Sequence, residues 1–348
     1  MGVMKKIMED EEKWKKMKNN KLICCRLFIS ESRNSKAVEA IERAGGGLRL
    51  SCNRNSTRVE EEEEAVIVNK FEDEAYNRVR YTIVSYCCYD VVKDRVYSPL
   101  QKTVMAMVEA AFEAINLETH LGAYPRLGVV DEILFHPLPN AQLHHAAMLA
   151  KAVALDVATK FQVPVYLYGA AHPTGKAIDI IRRELGYYTS NSPGNQWAGW
   201  TIPEVLPLKP NEGPISMSKD KGISMIGARP WIDLYNVPIM TTDVFVAQKI
   251  AKMVSEKGGG LPTVQTLGLI HGEHYAEITC MLLEPNKIGA DQVQNLVEIL
   301  GAQEGLQVKK GYYTDFSAEE IVEKYINIIS TKKDSTQHNR VVKQRSRL

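Results

Sequence analysis

The chain has 348 residues, 45% apolar and 24% charged, a composition that fits a soluble globular protein of one large or two smaller domains and excludes collagen, coiled coil and wholesale disorder. Formal charge is +1; residues 1 to 21 carry +3 and residues 332 to 348 carry +5, which leaves −7 on the body between them and argues against electrostatic wrapping of nucleic acid. No apolar run approaches the roughly 20 residues of a membrane span, and the opening MGVMKKIMEDEEKWKK places acids where a signal peptide needs an apolar stretch.

In chain order, a charged extension (1–21) precedes LICCRLFIS, a buried strand, after which Asn34 caps a helix with Ala37, Val38, Ile41 and Ala44 at helical spacing. Residues 45–64 combine glycines with a run of five glutamates and are expected to be a disordered insertion. AVIVNKF and RVRYTIVSYCCY are expected strands joined through Glu72 to Asn77, and Ser98 to Asn116 an expected helix. The strand LGVVDEILFHPL, the helix AQLHHAAMLAKAVALDVATKF and the strand VPVYLYGAA follow. Tyr187 to Gly222 is rich in Gly, Pro, Asn and Trp, a length of loop that usually binds something or links domains. Beyond it come the strand region ISMIGARPWIDLYNVPI, a helix capped by Thr242 or Asp243, two antiparallel strands in VQTLGLIHGEHYAEITCMLLEP, and a helix over GADQVQNLVEILGAQEG. That order is the split βαβ pattern of a ferredoxin-like unit. The expected fold class is α/β (α+β), with subdomains expected at 22–205 and, ferredoxin-like by this pattern, at 235–328, a linking segment at 206–234 and a basic tail at 329–348.

The six cysteines, at 24, 25, 52, 87, 88 and 280, have neither disulfide-ladder nor zinc spacing, so a reducing compartment and no metal are expected. The densest polar chemistry lies in ETHLGAYPRLGVVDEILFHPL, residues 118–138. His120 could shuttle protons near neutral pH and Arg126 could grip a carboxylate in bidentate fashion. The structural alternative is that Pro125 and Gly128 set a turn while Arg126 and Asp131 merely pair.

The order Gly-x-x-Pro-Arg-apolar-Gly, followed by Asp131, resembles the formiminotransferase signature GEHPRMGALD. Other motifs follow co-linearly. FISESRN at 28–34 resembles NFSEGKN; Asn77, Arg78, Tyr81 and Thr82 resemble NRTVYT; VPVYLYG at 163–169 matches in full; Pro210, Gly213 and Pro214 resemble PDFGP; Gly227, Ala228 and Arg229 resemble GAR, with Asn236 at a family asparagine. The resemblance covers about residues 22–328. It implies two ferredoxin-like subdomains with a groove between them, to which 206–234 contributes, for tetrahydrofolate as co-substrate, and transfer of a formimino or formyl group between glutamate, as N-formimino-L-glutamate, and that folate in one-carbon metabolism. No metal, nucleic-acid or membrane partner is implied, and a homodimer is left open. The implied folate- and substrate-binding residues are Asn77, Arg78, Arg126, Asp131, Gly227 and Arg229.

At the family's catalytic histidine this chain has Tyr124, and at the adjoining glutamate Ala123. Tyrosine, with an unperturbed pKa near 10, is a weak base at neutral pH, so the alternative function is a catalytically weak or inactive folate-binding relative. His120 is the candidate substitute base. The acids of the family's DVDAG are matched by Asn69 and Phe71, and Phe28 stands for the asparagine of NFSEG.

His271 and His274 straddle a turn and make a poor metal pair; His136, His144 and His145 are expected to be surface or packing residues and not catalytic ones. Tyr187, Tyr188, Trp197 and Trp200 could stack on a pterin or anchor the central loop, and Lys209, Lys219, Lys221 and Arg229 could meet folate carboxylates. The cytoplasm is the expected location. The alternative is the peroxisome, through Ser346-Arg347-Leu348, which resembles a peroxisomal address.

Overall fold

The computed structural model describes residues 21–46, 49–50, 63–189, 191–192, 196–198 and 205–345. The N-terminal extension, most of the expected insertion, Trp200 and the terminal Ser346-Arg347-Leu348 lie outside the described residues.

Two βαββαβ units account for the fold. The first comprises strand β1 (Leu22–Ile29), helix α1 (Ser35–Gly45), strands β2 (Val66–Asp73) and β3 (Arg78–Tyr86), helix α2 (Pro99–Ala114) and strand β4 (Val130–Pro137). Helix α3 (Leu143–Phe161), strand β5 (Val165–Gly169), helix α4 (Ile178–Glu184) and strand β6 (Ser224–Ala228) extend it. The sheet order is β5-β6-β4-β1-β3-β2, in which β4-β1-β3-β2 is the antiparallel ferredoxin-like core and β5 and β6 add in parallel to β4. The second unit runs through β7 (Asp233–Ile239), α5 (Val244–Val254), β8 (Val264–His271), β9 (Tyr275–Leu282), α6 (Ala290–Gln303) and β10 (Tyr312–Tyr313), with sheet order β8-β9-β7-β10. Both units therefore share the ferredoxin-like strand order, which the pattern of periods predicts for the second unit and the resemblance implies for both.

Local sequence explains the ends. Asn34 accepts from the Ala37 amide at 3.2 Å, Ser98 caps α2 ahead of Pro99, and Asp243 rather than Thr242 caps α5. The ISMIGARPWIDLYNVPI stretch forms two strands in different sheets, so Ser224–Ala228, within the segment expected to link the units, is an inner strand of the first sheet.

Side chains of β1 divide the first sheet into two faces. Ile23, Cys25, Leu27 and Ile29 pack under α1, α2 and α3. Leu22 and Cys24 point the other way and meet helix α7 (Ala318–Arg345) through Ile321, Val322, Tyr325, Ile326 and Ile329. Each such buried side chain contributes about 1.5–3 kcal/mol. The basic tail expected from residue 329 thus begins inside a helix, with Ile329 buried. Farther along the same face, a charged patch replaces apolar packing. Arg26 Nε donates to Asp315 Oδ2 at 2.8 Å, Arg80 donates to the Thr314 hydroxyl and carbonyl, and Asn69 and Thr82 donate to Asp315 at 2.9 Å each. Burial pushes the Asp315 carboxyl up, but Arg26 and Arg80 outweigh it and hold the group at about 2. This carboxylate joins the end of the second unit to the first sheet.

Candidate functional site

The loop from His120 to Val129 enters β4, and its conformation rests on close backbone approach. A Cβ on Gly122 would collide with the Tyr76 carbonyl and the Arg126 guanidinium, and one on Gly128 with the Ile223 carbonyl. Glycine at both positions is explained by packing.

Arg126 was expected to grip a carboxylate and instead staples this loop to the turn before β3. Its guanidinium donates to the carbonyls of Asn77 (2.9 Å), Tyr76 (2.5 Å) and Tyr124 (2.7 Å), and the residue is 3% exposed. Burial, reinforced by the Arg78 charge, lowers its pKa to about 9. Asp131 does not pair with Arg126: one oxygen accepts from the Leu127 amide at 2.7 Å and the other lies 3.4 Å from Arg182. Asn77, with φ of 51° in the left-handed region, accepts from the Ser32 amide and donates to the Leu121 carbonyl, so its side chain is also committed to the fold.

His120 is 4% exposed. The Asn77 amide nitrogen lies 3.3 Å from its Nδ1 and, as a donor, leaves the ring proton on Nε2, which has no partner among the described residues. Burial, then the Arg126 and Arg33 charges, depress its pKa to about 2. A ring so hard to protonate is a poor general base at neutral pH, which counts against the substitute role expected from sequence.

Arg78 is different. Its guanidinium carbon sits 4.0 Å from the Tyr124 ring centroid and 5.0 Å from that of Phe28, and it has no hydrogen-bond acceptor or ion-pair partner among the described residues. Arg80 continues the stack, 6.0 Å from Phe28 and 5.3 Å from Phe71. Rings and guanidinium groups thus alternate from Phe71 to Tyr124 along one face of the sheet. The space bounded by Phe28, Ser30, Arg78, Tyr124, Pro125, Arg126 and Asp131 is too tight to admit a water molecule.

Tyr124 also meets the second unit. Its ring packs edge-on to Tyr76 at 5.2 Å, Tyr76 packs edge-on to His271 at 4.7 Å, and the Tyr76 hydroxyl donates to Glu277 at 2.9 Å. Glu277 is fully buried and accepts further from Asn236 (3.0 Å) and Tyr312 (2.8 Å), which accounts for the asparagine singled out in the sequence. His271 Nε2 lies 3.0 Å from Asp73 Oδ2. The His271–Asp73 and Tyr76–Glu277 pairs join residues about 200 apart, so sequence spacing carried no signal for either.

The remaining sequence candidates divide. Gly227 faces the Tyr168 ring, which a Cβ would strike, so its absence of a side chain serves packing. Tyr168 donates to Glu132 at 2.6 Å, Glu132 pairs with Arg182 at 2.8 Å, and Arg182 lies 4.4 Å from the Tyr187 ring. Sequence spacing carries little signal for this network, because Arg182 sits on α4, a helix of only seven residues, and its partner Glu132 lies 50 residues away. Tyr187 and Trp197 are buried and 5.9 Å apart, so they anchor the central loop. The Lys221 ammonium turns to the Phe161 carbonyl at the end of α3. The Arg229 side chain has no hydrogen bond or ion pair among the described residues. No cluster of metal-ligating side chains occurs among the described residues, and none of their helices is long and apolar enough to cross a membrane.

A family model for the formiminotransferase domain, N-terminal subdomain, matches residues 22–229. A formiminotransferase cyclodeaminase-like protein of Arabidopsis thaliana is 46% identical over 307 residues, 88% of this chain and 97% of that protein. A glutamate formimidoyltransferase of Thermoplasma acidophilum is 29% identical over 204 residues, 58% of this chain and 64% of that protein. The formimidoyltransferase-cyclodeaminase of Mus musculus is 25% identical over 274 residues, 76% of this chain and 44% of that protein.

Proposed function

The chain belongs to the formiminotransferase family, and on that premise we propose that it binds a reduced folate at the seam between its two units, with slow transfer of a formimino or formyl group. The observation that carries the reading is Arg78. Its guanidinium carbon lies 4.0 Å from the Tyr124 ring centroid and 5.0 Å from that of Phe28, its planar fork of N–H donors is of the kind that matches a carboxylate, and no protein acceptor among the described residues occupies it. A folate brings glutamate carboxylates together with a flat pterin that the neighbouring rings suit.

In formimino transfer, N5 of tetrahydrofolate forms a bond to the formimino carbon, the bond from that carbon to the glutamate nitrogen breaks, and one proton leaves the entering nitrogen while another joins the leaving one. One group of near-neutral pKa can serve both proton steps. Position 124 offers a phenol packed on a guanidinium, and His120 is held neutral by burial, so the chain keeps the scaffold and lacks an efficient proton carrier there.

Calorimetric titration with folinic acid tests the binding reading. Wild type should bind, and Arg78→Ala should weaken binding about tenfold or more, the usual worth of a hydrogen bond to a charged group. No binding by wild type, or equal binding by both, overturns it.

A further inference from the structure

The turn from Asp73 to Asn77 is the piece of the first unit that the second unit grasps. It runs between β2 and β3, directly before Arg78, and its inner side is fastened to the site loop by Asn77 and by the Arg126 donations to the carbonyls of Tyr76 and Asn77. Its outer side meets the β8–β9 hairpin, where Asp73 pairs with His271 and Tyr76 wedges between His271 and Tyr124 with its hydroxyl on Glu277. Asp73 also accepts from the Tyr76 amide at 2.9 Å, so one carboxylate fixes both the shape of the turn and its attachment to the hairpin.

We propose that the Asp73–His271 pair is a clamp between the two units that holds Tyr76, and through it Tyr124 and Arg78, in position. His271 and Asp73 are positioning residues in this scheme. The clamp stands without the folate reading; only its effect on ligand affinity rests on that reading.

The clamp responds to pH. Facing His271 are Asp73 from β2, Tyr76 from the turn, and Tyr275 and Glu277 from β9, with Tyr312 behind Glu277 and Lys309 5.8 Å from the Tyr275 ring. Burial lowers the His271 pKa, but the Asp73 bond and the Glu277 and Asp73 charges outweigh it, and the net shift is upward from 6.5. A group whose folded pKa is raised stabilises fully below its ordinary value and loses that contribution as pH rises through the folded value. The clamp is therefore tight in mild acid and looser in alkali.

The test is amide hydrogen exchange of residues 74–77 in the ligand-free full-length chain, corrected for intrinsic rates, from about pH 5.5 to about pH 8.5. In wild type, protection should fall by about tenfold or more as His271 loses its proton, the scale of a charge-assisted bond. His271→Lys keeps the cation and should retain protection across the range, whereas His271→Gln should have low protection at every pH. Asp73→Asn should match His271→Gln, which guards against a local packing defect at either residue. Protection that is equal in wild type and His271→Gln, or a pH response that persists in His271→Gln, overturns the clamp. Parallel folinic acid titrations separate the readings: a pH-dependent clamp without folate binding refutes only the folate site, and folate binding with a pH-independent turn refutes only the clamp.

Discussion

On the proposed mechanism, Tyr124→His supplies an imidazole where a proton carrier is expected, and the structure limits what that gains. The frame around the loop is intact, since Arg126 holds three carbonyls and Asp131 the Leu127 amide without using the Tyr124 side chain. General acid–base catalysis is typically worth about 100-fold to 10,000-fold. The new ring, however, would sit against Arg78, whose guanidinium lies 4.0 Å from the present ring centroid. Two unit charges at that distance repel by about 4 kcal/mol at an effective dielectric of about 20, or about three powers of ten in basicity. If about half of a basicity change reaches the rate, as Brønsted behaviour implies, the gain falls about 30-fold, to between about 3-fold and about 300-fold. The assay is transfer from N-formimino-L-glutamate to tetrahydrofolate, with wild type and variant at matched folate saturation. A wild type as fast as the variant would refute the reasoning, because a base other than position 124 would then already serve. A variant gain of more than about 1,000-fold would refute the repulsion from Arg78.

Asp315→Asn should lower stability by about 3–5 kcal/mol, because it leaves Arg26 and Arg80 buried without their carboxylate; chemical denaturation at pH 7 measures it. In wild type, the difference between 3.8 and about 2 makes this carboxyl worth about 2 kcal/mol above pH 3.8, lost as pH falls toward 2, and the variant should lack that step in its acid unfolding curve. Ala123→Glu should lower the melting temperature, since position 123 is 4% exposed and packs with Tyr76 and Leu269; an unchanged melt would show that the carboxylate finds solvent. Folinic acid affinity should decline with added salt, as a carboxylate held by Arg78 loses attraction to screening; calorimetry at low and high salt checks it, and a salt-independent Kd counts against a charged grip.

Elements with a strong period or a capping residue were legible in the sequence. LICCRLFIS, the Asn34 cap, the Ser98–Pro99 helix start and the IHGEH hairpin all follow from local chemistry that the folded chain preserves. The helix Ala318–Arg345 runs past residue 328, where a tail was expected because basic residues dominate the composition after Ile329, whereas Leu22, Cys24, Val66 and Val84 decide its packing from across the fold. Individual roles at the site were harder to read. Arg126 has the same sequence signature whether it grips a ligand or three carbonyls, and only the positions of Tyr76 and Asn77 distinguish the two. Arg182, Glu132, Asp73 and His271 find their partners at separations that no local pattern reports.

Three of the departures that the motif resemblance implies meet in one piece of structure. Phe28, Phe71 and Tyr124, which by that resemblance stand for an asparagine, an acid and a histidine, each place a ring against Arg78, Arg80 or both. Polar or acidic groups at these positions could satisfy two cations by hydrogen bonding; rings satisfy them through their π faces, at about 0.5–2 kcal/mol per contact. The three positions are far apart in sequence and adjacent in space, so altering one alone leaves a guanidinium with a mismatched neighbour on one side. Arg80 donates through its two terminal nitrogens to the Thr314 hydroxyl and carbonyl, and its Nε lies 3.6 Å from Asp315, so Phe28 and Phe71 serve chiefly to pack its stem and plane. Arg78 lacks such partners among the described residues, so the Phe28–Arg78–Tyr124 stack leaves its N–H donors without a protein acceptor where the resemblance places a proton carrier. On the proposed reading, the residues that stand where an efficient base is expected also leave a cation for an anionic ligand, which is why binding and transfer should be separable in this chain.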